Sequence, residues 1–394
     1  MKRYEGNKQV RKIAILVSCA SVLQIVESLF PHPIPGIRLG LANIITLIAM
    51  VDIGFSAAIE VAVLRTVISS FILGTFLSPS FILSFSGALF SAIAMGLAYN
   101  ASFKLNYVLL SITGISILGA VVHNLTQLSL VYLLLIKQKE IFMLLPWLGI
   151  SAVIMGWVNG LIVSRIGKRL ENRTVEAEEV KENTVKAKVF SPGKYIDSNS
   201  PIHEIIPEIK IIFVLILGMM LLFLQNVYVY MIILTFLFVI NYLSGFSVVK
   251  IVSDLKRMYL FILFSFLGPL FFNSAGDVFW KIGIFKVTQI GLHTGGTFAF
   301  RVILLILSSS LLVKTTSPQR LAEGIEKVLL PLRRFGISGK RIATIITLSW
   351  DSIPAVWDRI NSLIKFKRNN LVKLPLIIDE LSSTILLVYR ESER

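Results

Sequence analysis

Apolar residues run through this chain in stretches too long and too even for a soluble core. Ile13 to Ile166 is almost continuously hydrophobic, broken only by short turns, and Ile209 to Val313 is hydrophobic again. Between them, Gly167 to Ser200 is polar and mixed in charge, while Lys314 to Lys373 interleaves apolar and basic positions. Crossing about 30 Å of hydrocarbon takes roughly 20 apolar residues as helix. Backbone groups in lipid must be satisfied within the segment, and alternating strand patterns are absent, so both blocks predict helices. In the first block the spans fall at about 13–30, 39–55, 57–75, 80–99, 107–136 and 146–166. The fifth is long enough to tilt, to extend beyond the bilayer, or to kink near Gly114 and Gly119. The second block predicts spans at about 209–225, 227–244, 258–273 and 296–313. The fold class is therefore an all-α polytopic membrane protein.

After Val313 the period changes. Ser317-Pro318 reads as an N-cap and first helical residue of a helix over about 318–332, punctuated by Pro331 and Gly336. A second helix, about 338–368, sets Ile342, Ile345, Ile346, Ile353, Val356, Ile360, Leu363 and Ile364 on one face. Arg341, Asp351, Asp358, Arg359 and Lys365 lie on the other, and Pro354 predicts a kink. From Lys314 to Lys373 there are twelve Lys and Arg against four Asp and Glu. Amphipathic basic helices beside a membrane either lie on anionic lipid or grip a soluble partner.

Composition agrees with the pattern: 55% of the 394 residues are hydrophobic and 16% charged, with a mean hydropathy of +0.78. The net charge of +16 collects at the N-terminus (Lys2, Arg3, Lys8, Arg11, Lys12), after the sixth span (Arg165, Lys168, Arg169) and in the tail. The positive-inside rule explains this better than nucleic-acid binding does. It predicts a multi-pass protein of the cytoplasmic membrane with both termini in the cytoplasm. The loop Pro31-His32-Pro33-Ile34-Pro35-Gly36 then faces outside and should be stiff, because proline fixes φ. Three units follow: a membrane domain over 1–166, a charged flexible linker over 167–200, and a second membrane domain over 201–394 with cytoplasmic helices at about 318–370. Cys19 stands alone, which excludes an internal disulfide and a cysteine metal site.

No catalytic constellation appears. Phe335-Gly336-Ile337-Ser338-Gly339-Lys340-Arg341 only grazes a phosphate-binding loop, with Arg341 where a hydroxyl is needed. Aspartate-rich pairs for magnesium and diphosphate are missing, and the four histidines are scattered. Polar groups at membrane depth are more informative, since a central charge costs about 2.5–3.5 kcal/mol to insert. They are Glu27, Arg38, Asn43, Arg65, His123, Asn124, Gln127 and Asn159. On a helix His123 and Gln127 share a face, and Asn124 and Gln127 are neighbours. Two readings stay open: a polar pocket for a small solute, or interhelical hydrogen bonding with a Glu27–Arg ion pair. Gly156 and Gly160 form a GxxxG pattern that predicts close helix packing.

The strings FPHPIPGIRLGLANIITLIA, LRTVISSFILGTFLSPSFILSFSGALFSAIAMGL and GISILGAVVHNLTQLSLVYLLL resemble the Gx transporter family of substrate-binding (S) components of energy-coupling factor transporters. That family is also called heptaprenyl diphosphate synthase component I. The strings SPIHEIIPEIKI and GLHTGGTFAFRVILLILSSSLLVKTTSPQRLAEGIEKVLLPLRRFGIS resemble the transmembrane (T) subunit of the same transporters. The resemblances cover about 13–166 and 198–390. They imply a six-helix S bundle joined to a T module of four or five spans with long coupling helices. They also imply a permease that captures a small organic nutrient or precursor and couples to two separate ABC-type ATPase subunits. It is not an enzyme; ATP sits on those partners, and this chain binds no cofactor of its own. The other family name implies an alternative, a non-catalytic membrane component of polyprenyl diphosphate synthesis.

In such T subunits two Ala-Arg-Gly-like motifs end the coupling helices. Here the corresponding positions read Lys365-Phe366-Lys367-Arg368 and Val388-Tyr389-Arg390-Glu391, and no arginine precedes Pro354. The expected ATPase contacts are thus Arg333, Arg334, Lys367, Arg368 and Arg390. Ala14 and Ser18, small residues four apart on the first span, are the expected contact between the two modules.

Overall fold

The computed structural model describes residues 2–29, 40–104, 110–136, 139–172, 195–198, 200–224, 226–272, 277–282, 285–336 and 338–368. The first apolar block forms α1 (Lys2–Leu29), α2 (Leu41–Asp52), α3 (Phe55–Leu73), α4 (Pro79–Tyr99), α5 (Ile112–Leu130) and α6 (Leu145–Asn172). α4 and α5 start on Ser78 and Ser111, whose hydroxyls accept the N–H of Phe81 and Gly114. α3 ends on Gly74 at φ 70°, a left-handed conformation that glycine adopts without steric cost.

The second block begins with the short α7 (Pro201–Glu204). It continues through α8 (Pro207–Phe223), α9 (Val227–Leu243), the basic α10 (Val248–Arg257) and α11 (Tyr259–Phe272) to the long α12 (Gln289–Thr315). Beyond them lie α13 (Pro318–Val328), a 3₁₀ turn at Leu330–Phe335 and α14 (Gly339–Arg368). Ser317 caps α13 by accepting the N–H of Arg320, and Pro318 takes the first turn, as the sequence predicts. Among the described residues, six helices are long and apolar enough to cross a membrane: Lys8–Ser28, Phe55–Leu73, Pro79–Phe103, Ile112–Leu133, Ile141–Gly167 and Gln289–Thr315. The protein is a multi-pass membrane protein.

Four details depart from the sequence reading. α2 has 12 residues, about 18 Å of helix, too short to cross alone. It is tolerated because every residue from Ala42 to Met50 is buried in protein, so the body of the helix is packed against other helices rather than lipid. α11, with 14 residues and Pro269 inside it, is short for the same task. The fifth span leaves α geometry at Val131, in a π-helical turn over Val131–Ile136, not at its glycines. Finally, the segment before α12 holds strands where the sequence reading expects none: β1 (Val278–Ile282) pairs antiparallel with β2 (Phe285–Thr288), with a register shift between Val278 and Trp280. Aromatic and β-branched residues there favour strand over a few residues, below the length of any membrane pattern.

Close approach organises the first bundle. A Cβ on Gly156 would lie 2.5 Å from the Ile117 Cα, and one on Gly160 would lie 2.6 Å from the Thr113 Cα. The GxxxG pattern is therefore the seam between α6 and α5. Ser91 on α4 donates to the Gly119 carbonyl of α5 at 2.8 Å.

The two halves share one hydrophobic core. It runs from Ile13, Leu16, Val17 and Ile68 of the first block to Ile211, Leu312, Leu321, Ile345, Ile346 and Ile353 of the second. α14 lies along α1. The apolar face of the basic tail is thus covered by this chain's own first helix, rather than by lipid or a soluble partner, as far as Val356.

Candidate functional site

Two polar clusters lie inside the first bundle. The first is built around Gly40, whose φ of 72° suits glycine. Its N–H donates to the Glu27 Oε1 of α1 at 2.6 Å, and its carbonyl accepts from the Asn159 Nδ2 of α6 at 3.0 Å. A Cβ there would stand in ordinary contact with the side-chain amide nitrogens of Asn43 and Asn159, at 3.4 and 3.6 Å, so the constraint on this position is its φ. From α3, Arg65 donates to the Asn43 Oδ1 at 2.6 Å and to the Gln24 Oε1 at 3.4 Å. Glu27, Asn43, Arg65 and Asn159 are all buried, with Glu27 only 2% exposed. The Asn159 Oδ1 has no hydrogen-bond partner among the described residues. Buried acceptors are nearly always paired, so this oxygen is a free bonding position within the cluster. One carboxylate, one guanidinium and three amides from four helices can hold a polar solute by hydrogen bonds.

The second cluster sits between α4 and α5. His123 and Gln127 share one face, as their spacing predicts. A Cβ on Gly87 would come within 2.9 Å of the His123 Nδ1 and Cε1, so the ring lies against bare α4 backbone. Gln127 donates to the Leu83 carbonyl at 3.4 Å. Asn124 turns away from Gln127, donating to the Leu148 carbonyl of α6 at 3.0 Å. One turn of helix separates them, yet they serve different neighbours. Arg38 and the proline-rich loop lie outside the described residues.

Sequence reasoning missed Gln24 and Gly40, since neither an internal glutamine nor a glycine after a proline-rich loop stands out. It also missed the buried polar groups of the second block. Arg301 on α12 donates to the Tyr230 hydroxyl at 2.8 Å and to the Leu224 carbonyl at 2.5 Å, and stacks 5.2 Å above the Phe298 ring. Lys314 pairs with Asp254 of α10 beneath Phe246. Arg301 ties the middle of α12 to the start of α9 and the end of α8, and Lys314 ties the end of α12 to α10. Among the described residues no group of three His, Cys, Asp or Glu is placed to hold a metal ion.

The junction between the halves is specific. Ser18 of α1 donates to the Ser349 carbonyl of α14 at 2.9 Å, and Ser349 donates back to the Ala14 carbonyl at 2.9 Å. Ala14 and Ser18 therefore make the contact expected of them. Arg341 of α14 pairs with Glu60 of α3 at 3.2 Å. At the tail, Arg333 and Arg334 are exposed on the 3₁₀ turn. Lys367 and Arg368 end α14, and Arg390 lies outside the described residues. Nearby, the Glu208 carboxylate beside Lys327 raises that ammonium's pKa above its ordinary value.

Residues 16–166 match the family model of heptaprenyl diphosphate synthase component I, and residues 198–368 match that of cobalt transport protein. The two matches lie one after the other along the chain, one on each side of the polar stretch. The chain is similar to the energy-coupling factor transporter transmembrane protein EcfT of Streptococcus thermophilus, 35% identical over 166 residues, which is 42% of this chain and 63% of the relative. EcfT of Streptococcus equi is 32% identical over 166 residues, 42% of this chain and 62% of that protein. EcfT of Thermosediminibacter oceani is 32% identical over 173 residues, 44% and 65% of the two chains. The chain thus spans a little under two thirds of the length of these relatives.

Proposed function

We propose that this chain is the membrane permease of an ATP-driven energy-coupling factor importer, with substrate capture and coupling in one polypeptide. The observation that carries the reading is the paired seam of Ala14 and Ser18 with Ser349. A helix of the capture half rests directly on the long helix of the half that is similar to EcfT. The N-terminus and α14 are cytoplasmic in this reading, and the solute enters the first bundle from the opposite side. Separate ATPase subunits would bind the cytoplasmic helices, and their movement on ATP binding would tilt α14 and the bundle resting on it.

Arg333 and Arg334 are the arginines free to meet such subunits. Co-purification in mild detergent is expected to recover two ATPase polypeptides with the chain. Arg333→Glu with Arg334→Glu should reduce that recovery at least 10-fold, by placing like charges where opposite ones met. Recovery of no ATPase, or undiminished recovery with the double variant, would sink the coupling role.

Glu27, Asn43, Arg65 and Asn159, with His123 and Gln127, are the proposed solute site. Mass spectrometry of small molecules retained by the purified chain would identify the solute. Asn159→Leu should lower retention roughly 10-fold, the loss of one or two buried hydrogen bonds. Unchanged retention in Asn159→Leu and in His123→Ala would remove the site. The description of the first family favours a second reading, a non-catalytic membrane component of polyprenyl diphosphate synthesis. Recovery of a prenyltransferase in place of the ATPases would establish it.

A further inference from the structure

Lys210, near the start of α8, is 8% exposed, and among the described residues its ammonium has only neutral acceptors. It donates to the Thr315 carbonyl at 2.9 Å, the Thr316 Oγ1 at 3.4 Å and the His203 carbonyl at 3.5 Å. No carboxylate forms an ion pair with it among the described residues. Arg320, exposed on α13, donates to the same His203 carbonyl at 3.0 Å. Two cations thus converge on one carbonyl oxygen, and the nearest acid on α8, Glu208, is engaged by Lys327. A buried charge without a counter-charge is costly, and a second cation beside it adds to the cost, so the arrangement favours an anion.

The same lysine lines a groove of about 200 Å³ between α8, α9 and α12, with Ile209, Phe213, Phe236, Ile240, Leu311 and Leu312 on its walls. That is smaller than the roughly 300 Å³ at which pockets for compact organic ligands begin, and its walls are almost wholly apolar. Around it α8 and α9 expose Ile212, Ile216, Ile232 and Val239, apolar surface that only hydrocarbon covers in a membrane-spanning bundle. A void beside hydrocarbon forfeits dispersion contacts unless something slender fills it. We propose that the groove holds an acyl chain of an anionic phospholipid, whose phosphate is drawn to Lys210 and Arg320. The assignment rests on the chain being a membrane protein and is independent of its transport role. Basic groups at helix ends on one face of a membrane are suited to lipid phosphates.

Native mass spectrometry of the full chain, released from micelles doped with equal phosphatidylglycerol and phosphatidylcholine of matched acyl chains, tests this. The wild type should retain one phosphatidylglycerol at least 10-fold over phosphatidylcholine. Arg320→Gln, at an exposed position, should cut that preference several-fold, and Lys210→Met with Arg320→Gln should abolish it. Ile240→Trp, filling the groove, should lower retention of both lipids. Equal retention of the two lipids by the wild type would overturn the proposal, as would undiminished phosphatidylglycerol in Ile240→Trp. Displacement of the lipid by millimolar inorganic phosphate, with Ile240→Trp behaving as wild type, would show an anion site without the acyl chain and equally overturn it.

Discussion

Ser18→Leu should part the first bundle from α14. Ser18 is fully buried, and its hydroxyl lies 2.9 Å from the Ser349 carbonyl, so the two helices approach backbone to backbone. Leucine cannot occupy that gap without moving one helix, and overpacking of this kind costs about 1–3 kcal/mol. The displacement would also break the return bond from Ser349 to Ala14, leaving polar atoms buried without partners. Ser18→Ala removes one hydrogen bond and adds no bulk, so its effect should be much smaller, about 0.5–1.5 kcal/mol. The seam can be read without knowing the solute. Glu60 and Arg341, paired at 3.2 Å about two turns along α14 from it, can be replaced by cysteines in a Cys19→Ser background and joined with a short bis-maleimide. Near-complete cross-linking is expected with Ser18 or Ser18→Ala, and at least a 5-fold slower reaction with Ser18→Leu. Equal rates in all three would mean that this seam does not hold the halves together. In the proposed function, the same variant should retain solute yet fail to import it.

Gly160→Leu and Gly156→Leu should each destabilise the first bundle by about 1–3 kcal/mol, because the nearest atom met by a new side chain is backbone and cannot swing aside. α5 would be pushed from α6, breaking the bond from Asn124 to the Leu148 carbonyl and shifting His123 and Gln127. Gly149→Leu supplies the control. It lies on the same helix, a Cβ there meets nothing within 4 Å, and near-neutral behaviour is expected. The measurement is the midpoint of detergent-induced or thermal unfolding, followed by solute retention. If all three variants unfold together, close packing at the GxxxG seam is not what holds α5 and α6.

The contrast among these glycines shows where sequence reasoning reaches its limit. Gly149, Gly156 and Gly160 look alike in an apolar helix, and spacing singles out the last two. Only the neighbouring helix reveals that both touch backbone. Similarly, His123 and Gln127 follow from helical spacing alone, whereas the turning of Asn124 towards Leu148 depends on where α6 begins. Lys314 and Lys210 were passed over for a related reason. A basic residue near a helix end reads as a snorkelling side chain until its acceptors on other elements are seen.

By itself the sequence determined the helical membrane class, the approximate limits of most of the long helices, the cap at Ser317, and the layout of two apolar blocks on either side of a polar one. These depend on local properties: hydrophobic length, helical period and the few side chains that can satisfy the first N–H groups of a helix. The tertiary structure alone decided that the basic tail lies along α1, that the polar residues form two clusters, and that the halves share a core. Those outcomes rest on contacts such as Ser18 with Ser349, 331 residues apart, where fit between whole surfaces selects among many equally apolar faces.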